Sequence, residues 1–311
     1  YNKIISDICN SKIPMHKLVF YLFYPIIWLF SKLPFRILYF ISDGIYYLLF
    51  YVVRYRKKVV LDNLKLSFPT KSDAELKLIR KRFYKHFTDI FIESVKSISI
   101  SKKELQKRFY YKNPEVINQI AESGKSIILL GAHYANWEWF FSLPFVLNIE
   151  VFAAYTKLEN KYFEKAIKKN RSRFGVVAFK TSEFIKYMMH NIKNKRQGLY
   201  ILLSDQSPQV EKTYYWKEFL GVKVPIHTGA EMLAKKFDCA VVNYSSRKIK
   251  RGYYEIDFEM ITTSPKEFEN YQIMDQYLEI TEKLIREEPA YYLWSHKRFK
   301  HKDKAPNESI V

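Results

Sequence analysis

Apolar positions change their rhythm along this chain. Residues 19–30 (VFYLFYPIIWLF) and 37–53 (ILYFISDGIYYLLFYVV) are near-continuous runs of bulky side chains. A membrane-spanning helix needs about 20 predominantly apolar residues. Pro25 interrupts the first run, Asp43 and Gly44 the second, and Lys32, Pro34 and Arg36 separate them, so neither is a clean span. Two readings fit: a membrane anchor, interfacial or single-pass, or a pair of buried core helices. The second run leads directly into Arg54-Tyr-Arg56-Lys57-Lys58, and cations beside an apolar helix suit an anionic leaflet at about 1 kcal/mol each. Tyr and Trp are plentiful in both runs, as at a lipid–water boundary. These features favour the anchor. A cleaved signal peptide is not expected, because the runs sit too far in and no small-residue cleavage site follows.

A different rhythm follows Pro69. Ser72-Asp-Ala-Glu75 has the form of a capping box, and Leu76, Ile79, Phe83, Phe87, Ile90 and Phe91 recur at helical spacing. From residue 126 short apolar runs alternate with helical stretches. Strands are predicted at 126–130, 150–155, 176–179, 199–203 and 240–244, with a half-exposed one at 253–260 and another candidate at 291–294. Helices are predicted near 136–147, 160–173, 181–194, 228–237 and 270–286. Strands alternating with helices imply βαβ units. The expected fold is therefore α/β, with a mainly parallel central sheet flanked by helices. It comprises an N-terminal hydrophobic helical anchor (1–55) and one catalytic domain (56–311), with a polar tail expected to fray after about residue 301. No repeat or long linker interrupts the pattern.

Composition narrows this modestly. Apolar residues make up 48%, so a sizeable core is available. Cys9 and Cys239 form no framework and read as reduced thiols. The net charge of +20 points to anionic partners, among them nucleic acid, lipid headgroups, phosphorylated substrates and acidic carrier proteins.

Candidate chemistry gathers at strand ends, where open α/β sheets collect ligands. Gly131-Ala-His133-Tyr-Ala-Asn136-Trp-Glu138 follows one strand, and Ser204-Asp205-Gln206 follows another. Polar groups in such places are poor core material. On one helix His133 and Glu138 would diverge by about 140°. With His133 on a loop and Glu138 in the first turn the two can meet, as base and orienting carboxylate. No Ser or Cys stands nearby as an enzyme nucleophile, which favours direct transfer to a substrate hydroxyl. A hydrogen-bonded loop histidine is the plainer reading of these residues alone. Metal binding is not expected, since no cysteine or second histidine lies close by in sequence. Arg171 and Arg173 close a basic stretch containing Lys157, Lys161, Lys165, Lys168 and Lys169; the lysines read as a solvated face. Guanidinium forks suit phosphate. Trp294-Ser-His296-Lys-Arg298 is another dense mix of aromatics and cations.

Taken together the motifs resemble one family, the late acyltransferases of lipid A biosynthesis (lauroyl/myristoyl transferases), to which phosphatidylinositol mannoside acyltransferases are related. The resemblance spans nearly the whole chain. It runs from the hydrophobic N-terminus and the Arg54…Asn63-Leu…Phe-Pro69 stretch to Gly131-Ala-His133-x4-Glu138. Arg171-x-Arg173-Phe-Gly175, Asp205-Gln206, Thr228-Gly229-x3-Leu-Ala234 and Pro289-x4-Trp294-x-His296-x-Arg298 follow in order. It implies an enzyme on the cytoplasmic face of a bacterial inner membrane, taking an acyl group from acyl carrier protein to a lipid-linked hydroxyl without a cofactor. By analogy His133 is the general base and Glu138 its partner. Arg171, Arg173, Asp205, Gln206 and Asn136 are candidates for binding substrate, and anionic lipids and a lipid A-type acceptor are the further partners. The segment from Pro208 to Gly221 departs from the family pattern, which bears on the acceptor. A nucleic-acid-binding protein is the competing reading, but the basic residues are scattered and carry no recognition signature.

Overall fold

In the computed structural model, which describes residues 15–155 and 158–306, the short apolar runs lie side by side. The strands are β1 (Phe109–Tyr111), β2 (Ile127–Gly131), β3 (Val151–Tyr155), β4 (Val177–Lys180), β5 (Leu199–Leu203), β6 (Trp216–Phe219), β7 (Val222–Pro225), β8 (Ala240–Lys250) and β9 (Tyr253–Thr262). Seven form one sheet in the order β1-β9-β8-β2-β5-β3-β4, while β6 and β7 pair by themselves. Within the sheet only β8 and β9 are antiparallel, and the other neighbours run parallel. The sheet is thus mainly parallel, as the alternation predicts. β2 lies at its centre with all of its residues buried, which is why its sequence reads as an unbroken apolar run.

The helices are α1 (Met15–Lys32), α2 (Phe35–Tyr47), α3 (Lys57–Ser67), α4 (Asp73–Lys96), α5 (Lys102–Arg108), α6 (Glu115–Glu122), α7 (Lys161–Ser172), α8 (Phe184–Lys193), α9 (Gly229–Phe237) and α10 (Gln272–Glu287). α4 opens on the predicted capping box: the Ser72 hydroxyl accepts from the Glu75 N–H, and the Glu75 carboxylate accepts from the Ser72 N–H. α2 continues as a π-helical turn over Leu48–Val52. Among the described residues one helix, Phe35–Val52, is long and apolar enough to cross a membrane. It is also half docked. Leu38, Ser42 and Tyr46, one turn apart, are buried, and Ser42 donates to Asp89 of α4 at 2.9 Å. Its opposite side is open, with Phe40 79% and Val52 72% exposed. α1 passes through Pro25 without breaking and buries only Ser31; its Phe20 ring packs against Tyr162 and Phe163 of α7.

Four segments differ from expectation, each for a physical reason. The predicted 136–147 helix is a 3-10 helix over Glu138–Phe145 containing Pro144, which has no N–H to extend an α-helical ladder. Residues 291–294 do not form a strand; Tyr292 bridges only to Tyr134. β6 and β7 form an unexpected hairpin whose turn residues, Leu220 (φ 53°) and Gly221 (φ 79°), are both left-handed, as a type I′ turn requires. The polar tail keeps a 3-10 turn over Lys302–Lys304. Cys9, Lys157 and residues 307–311 lie outside the described residues, while Cys239 is a buried free thiol.

Candidate active site

Strands β2 and β5 are parallel neighbours, with Gly131 opposite Leu203 at their carboxyl ends. Two residues beyond each stand His133 and Asp205, so the register alone brings them together. The Asp205 carboxylate accepts a hydrogen bond from His133 Nδ1 at 2.8 Å. Asp205 is 1% exposed and the His133 side chain 19%. Burial by itself would lower the imidazole pKa, but the Asp205 charge and hydrogen bond, helped by the Glu138 charge, raise it overall. For Asp205 burial acts upward, and the facing imidazolium outweighs it and lowers the pKa. Because the carboxylate takes the Nδ1 hydrogen, Nε2 is left as the basic nitrogen. The Gln206 amide stands 3.4 Å from both ring nitrogens, too evenly placed for a directed bond.

The loop carrying His133 is held from several sides. Gly131 is a glycine because the Tyr244 ring occupies the space that a Cβ would need. Ala135 adopts φ 50°, a left-handed conformation costly for a residue with a side chain. Its N–H donates to Tyr291 O at 3.0 Å, and the Leu293 N–H donates to His133 O at 3.1 Å. The 291–294 segment is therefore an apolar clamp on the loop, which explains its strand-like composition. His86, buried and kept neutral first by desolvation and then by Lys248, contacts Ala135 O through Nε2 at 3.2 Å.

Glu138 begins the 3-10 helix and pairs with Arg171 at 3.1 Å, both side chains about one-third exposed. Arg171 stands in the last turn of α7. That helix opens on Asn160, whose side chain accepts from the Tyr162 and Phe163 N–H groups, and it ends before Gly175 at φ 98°. His133, Glu138, Arg171 and Gln206 share one cavity of about 580 Å³. Ala153, Ala154, Ala178, Val176, Ile201 and Phe141 contribute to its walls, and Lys168 to its lining. Small residues on β3 and β4 leave the space, and the charged groups sit with His133 in an otherwise largely apolar trough. Among the described residues no three His, Cys, Asp or Glu side chains converge as a metal site needs.

His133, Glu138, Arg171, Asp205 and Gln206 do come together. The carboxylate bonded to His133 is Asp205, however, and Glu138 faces Arg171, because parallel strand register sets nearer neighbours than a five-residue loop does. Asn136, a candidate for binding substrate by its place in the motif, is instead fully buried. Its side-chain oxygen accepts from the Glu138 and Trp139 N–H groups at 3.0 and 3.1 Å. Arg173 is exposed and turned away from the cavity's lining, donating to Ser97 O, Ile98 O and Ile100 O at 2.9–3.0 Å. The alanines of the trough are not legible in the sequence, since small apolar strand residues carry no signal, and Lys168 is exposed as a solvated face expects while also lining the cavity. His296 accepts from the Ser207 N–H at 3.1 Å, and burial pushes its pKa down to about 4, so it is a neutral prop for the loop after Asp205.

Set beside known proteins, the chain matches the family model described as bacterial lipid A biosynthesis acyltransferase over residues 10–301. It is 22% identical over 279 residues to the lipid A biosynthesis lauroyltransferase of Escherichia coli (strain K12), covering 88% of this chain and 89% of that one. To lipid A biosynthesis acyltransferase 2 of Shigella flexneri it is 22% identical over 151 residues, 47% of each, so the match spans about half the length of that relative.

Proposed function

As a member of the bacterial lipid A biosynthesis acyltransferase family the chain is a lipid acyltransferase, and we propose that it moves a fatty acyl chain from acyl carrier protein to a hydroxyl of a lipid A precursor or a similar glycolipid. The observation that carries this reading is the His133–Asp205 pair at an apolar trough whose lining, among the described residues, holds no Ser or Cys. His133 Nε2 takes the proton of the acceptor hydroxyl as its oxygen attacks the thioester carbonyl. Asp205 stabilises the resulting imidazolium and holds its tautomer. When the tetrahedral adduct collapses, the C–S bond breaks and the departing sulfur takes the proton back from Nε2. The ester forms without a covalent acyl-enzyme, and no cofactor enters the balance.

The trough suits the acyl chain, each buried methylene contributing about 0.8 kcal/mol. Arg171 and Lys168 supply cations for a phosphate or for charge developing on the carbonyl oxygen, and Glu138 holds the Arg171 fork in place. The +20 charge suits both an acidic carrier protein and phosphorylated lipid. The exposed apolar sides of α1 and α2, with the cations from Arg54 to Lys58, support a seat on the cytoplasmic face of the inner membrane.

The test is direct: purified enzyme is incubated with acyl-acyl carrier protein and a lipid A precursor, and the lipid is weighed by mass spectrometry. One added acyl mass is expected, formed at least about 10²-fold more slowly with His133→Ala. Transfer to a phospholipid or aminolipid but not to the lipid A precursor would replace the acceptor, and no transfer to any lipid overturns the reading.

A further inference from the structure

Asn136 lies between His133 and Glu138, and its amide matters by which way it faces. The oxygen must point toward the Glu138 and Trp139 N–H groups to start the 3-10 helix. The nitrogen end then points at Glu93 of α4, donating to Oε2 at 2.6 Å. Glu93 has no exposed surface. Its carboxylate also accepts from Tyr254 Oη at 2.9 Å and from Tyr39 Oη of α2 at 2.9 Å, and its backbone carbonyl accepts from Trp139 Nε1 at 3.2 Å.

Among the described residues no cation is hydrogen-bonded to this carboxylate, an expensive arrangement for a core that only needs filling. Burial and then the neighbouring Asp89 charge push its pKa up to about 7, against the Lys248 charge and the two tyrosine hydrogen bonds, which act downward. Both of its oxygens face donors, Asn136 Nδ2, Tyr254 Oη and Tyr39 Oη, so in this arrangement it accepts without donating. An amide or hydroxyl in its place could present a hydrogen to Asn136 and allow the flipped amide, which would leave the N–H groups of Glu138 and Trp139 without an acceptor.

We propose that Glu93 is a positioning residue: acting through Asn136, it fixes the turn from which Glu138 reaches Arg171 and the pocket. The assignment rests on the reading of that pocket as the acyl-transfer site. Through Tyr39 the same carboxylate ties the apolar helix α2 to the turn.

The hydrogen-bond polarity can be broken and then reversed. Asn136→Asp keeps an acceptor for the two N–H groups but sets a carboxylate against Glu93. Adding Glu93→Gln restores a donor–acceptor match with the opposite sense. Asn136→Asp alone should lower kcat by about 10²-fold, the scale of a small misplacement in an active site. The double variant should recover at least about tenfold of that, and Glu93→Gln alone, whose amide can turn either its oxygen or a hydrogen toward Asn136, should show a partial loss smaller than that of Asn136→Asp. Melting temperature is followed alongside, together with hydrogen exchange of the Glu138 and Trp139 amides, which reads the turn without any assay of activity. Fast exchange in Asn136→Asp, slowed again in the double variant, supports the positioning role even in an enzyme that transfers no acyl chain, where only the functional reading fails. A double variant as impaired and as fast-exchanging as Asn136→Asp overturns the proposal.

Discussion

An imidazole acts as a base only from its neutral form, and the surroundings of His133 act on that form in opposite directions. Burial favours neutrality, while Asp205, its hydrogen bond and Glu138 favour the charged ring and prevail. A raised pKa means that more of the base is protonated at a given pH. The rise of kcat/KM with pH should therefore fall above the ordinary imidazole value of about 6.5. In Asp205→Asn the raising partner is gone and burial remains, so the rise should move to lower pH. The plateau should fall by about 10²–10⁴-fold, because the imidazolium and its tautomer lose their support. His133→Ala should abolish the ascending limb with a loss of similar size. A pH–rate profile of the three proteins checks this; an Asp205→Asn profile with the wild-type midpoint would remove Asp205 from the mechanism.

Two arginines two residues apart show how an element decides what a side chain does. Arg171 lies in the last turn of α7 and faces the pocket. Arg173 lies past that turn and donates to three backbone carbonyls around the end of α4. Arg173→Ala should remove these bonds, which water can in part replace, and cost about 0.5–1.5 kcal/mol of stability, leaving KM for both substrates unchanged. Arg171→Ala should do the reverse. Its ion pair is about one-third exposed on each side and is worth about 0–1 kcal/mol of stability, yet kcat/KM should fall by about tenfold or more. Thermal melts and steady-state kinetics of the pair decide it. Local chemistry was legible elsewhere at this scale. Ser72 and Glu75 announced the start of α4, whereas the β6–β7 hairpin was hidden because Leu220 sits where Asn or Gly usually marks such a turn. The helix expected after residue 136 is 3-10 helical, with Pro144 removing one backbone donor near its end.

Across the whole molecule the N-terminal helices are divided between the core and an open face. Ser42 donates to Asp89 at 2.9 Å, and Arg251 joins Asp43 and Asp89, so deleting residues 1–53 would damage the domain as well as any anchor. Substitution on the open face separates the two effects. Leu22 is 59% and Phe40 79% exposed, and a Leu22→Asp, Phe40→Asp protein should keep its melting temperature. Its partition into vesicles containing anionic lipid should weaken by at least about tenfold, since each lost apolar side chain contributes about 1.5–3 kcal/mol. Flotation with such vesicles measures it, and an unchanged floating fraction would mean that this face is not the membrane seat.

The sequence alone determined the α/β class, the parallel central strands and the strand ends at which His133 and Asp205 stand, because buried parallel strands must be continuous apolar runs and polar residues tolerate only their ends. It also determined, through the order of its motifs, the family. The tertiary structure alone decided which carboxylate serves His133. Strand order places β5 beside β2, and register then sets Asp205 against the imidazole, a neighbour 72 positions away that no local spacing could reveal. It also decided that Asn136 and Arg173 bond to the scaffold, because a side chain's direction depends on which donors and acceptors surround it, and those come from α4 and its end, elsewhere in the chain.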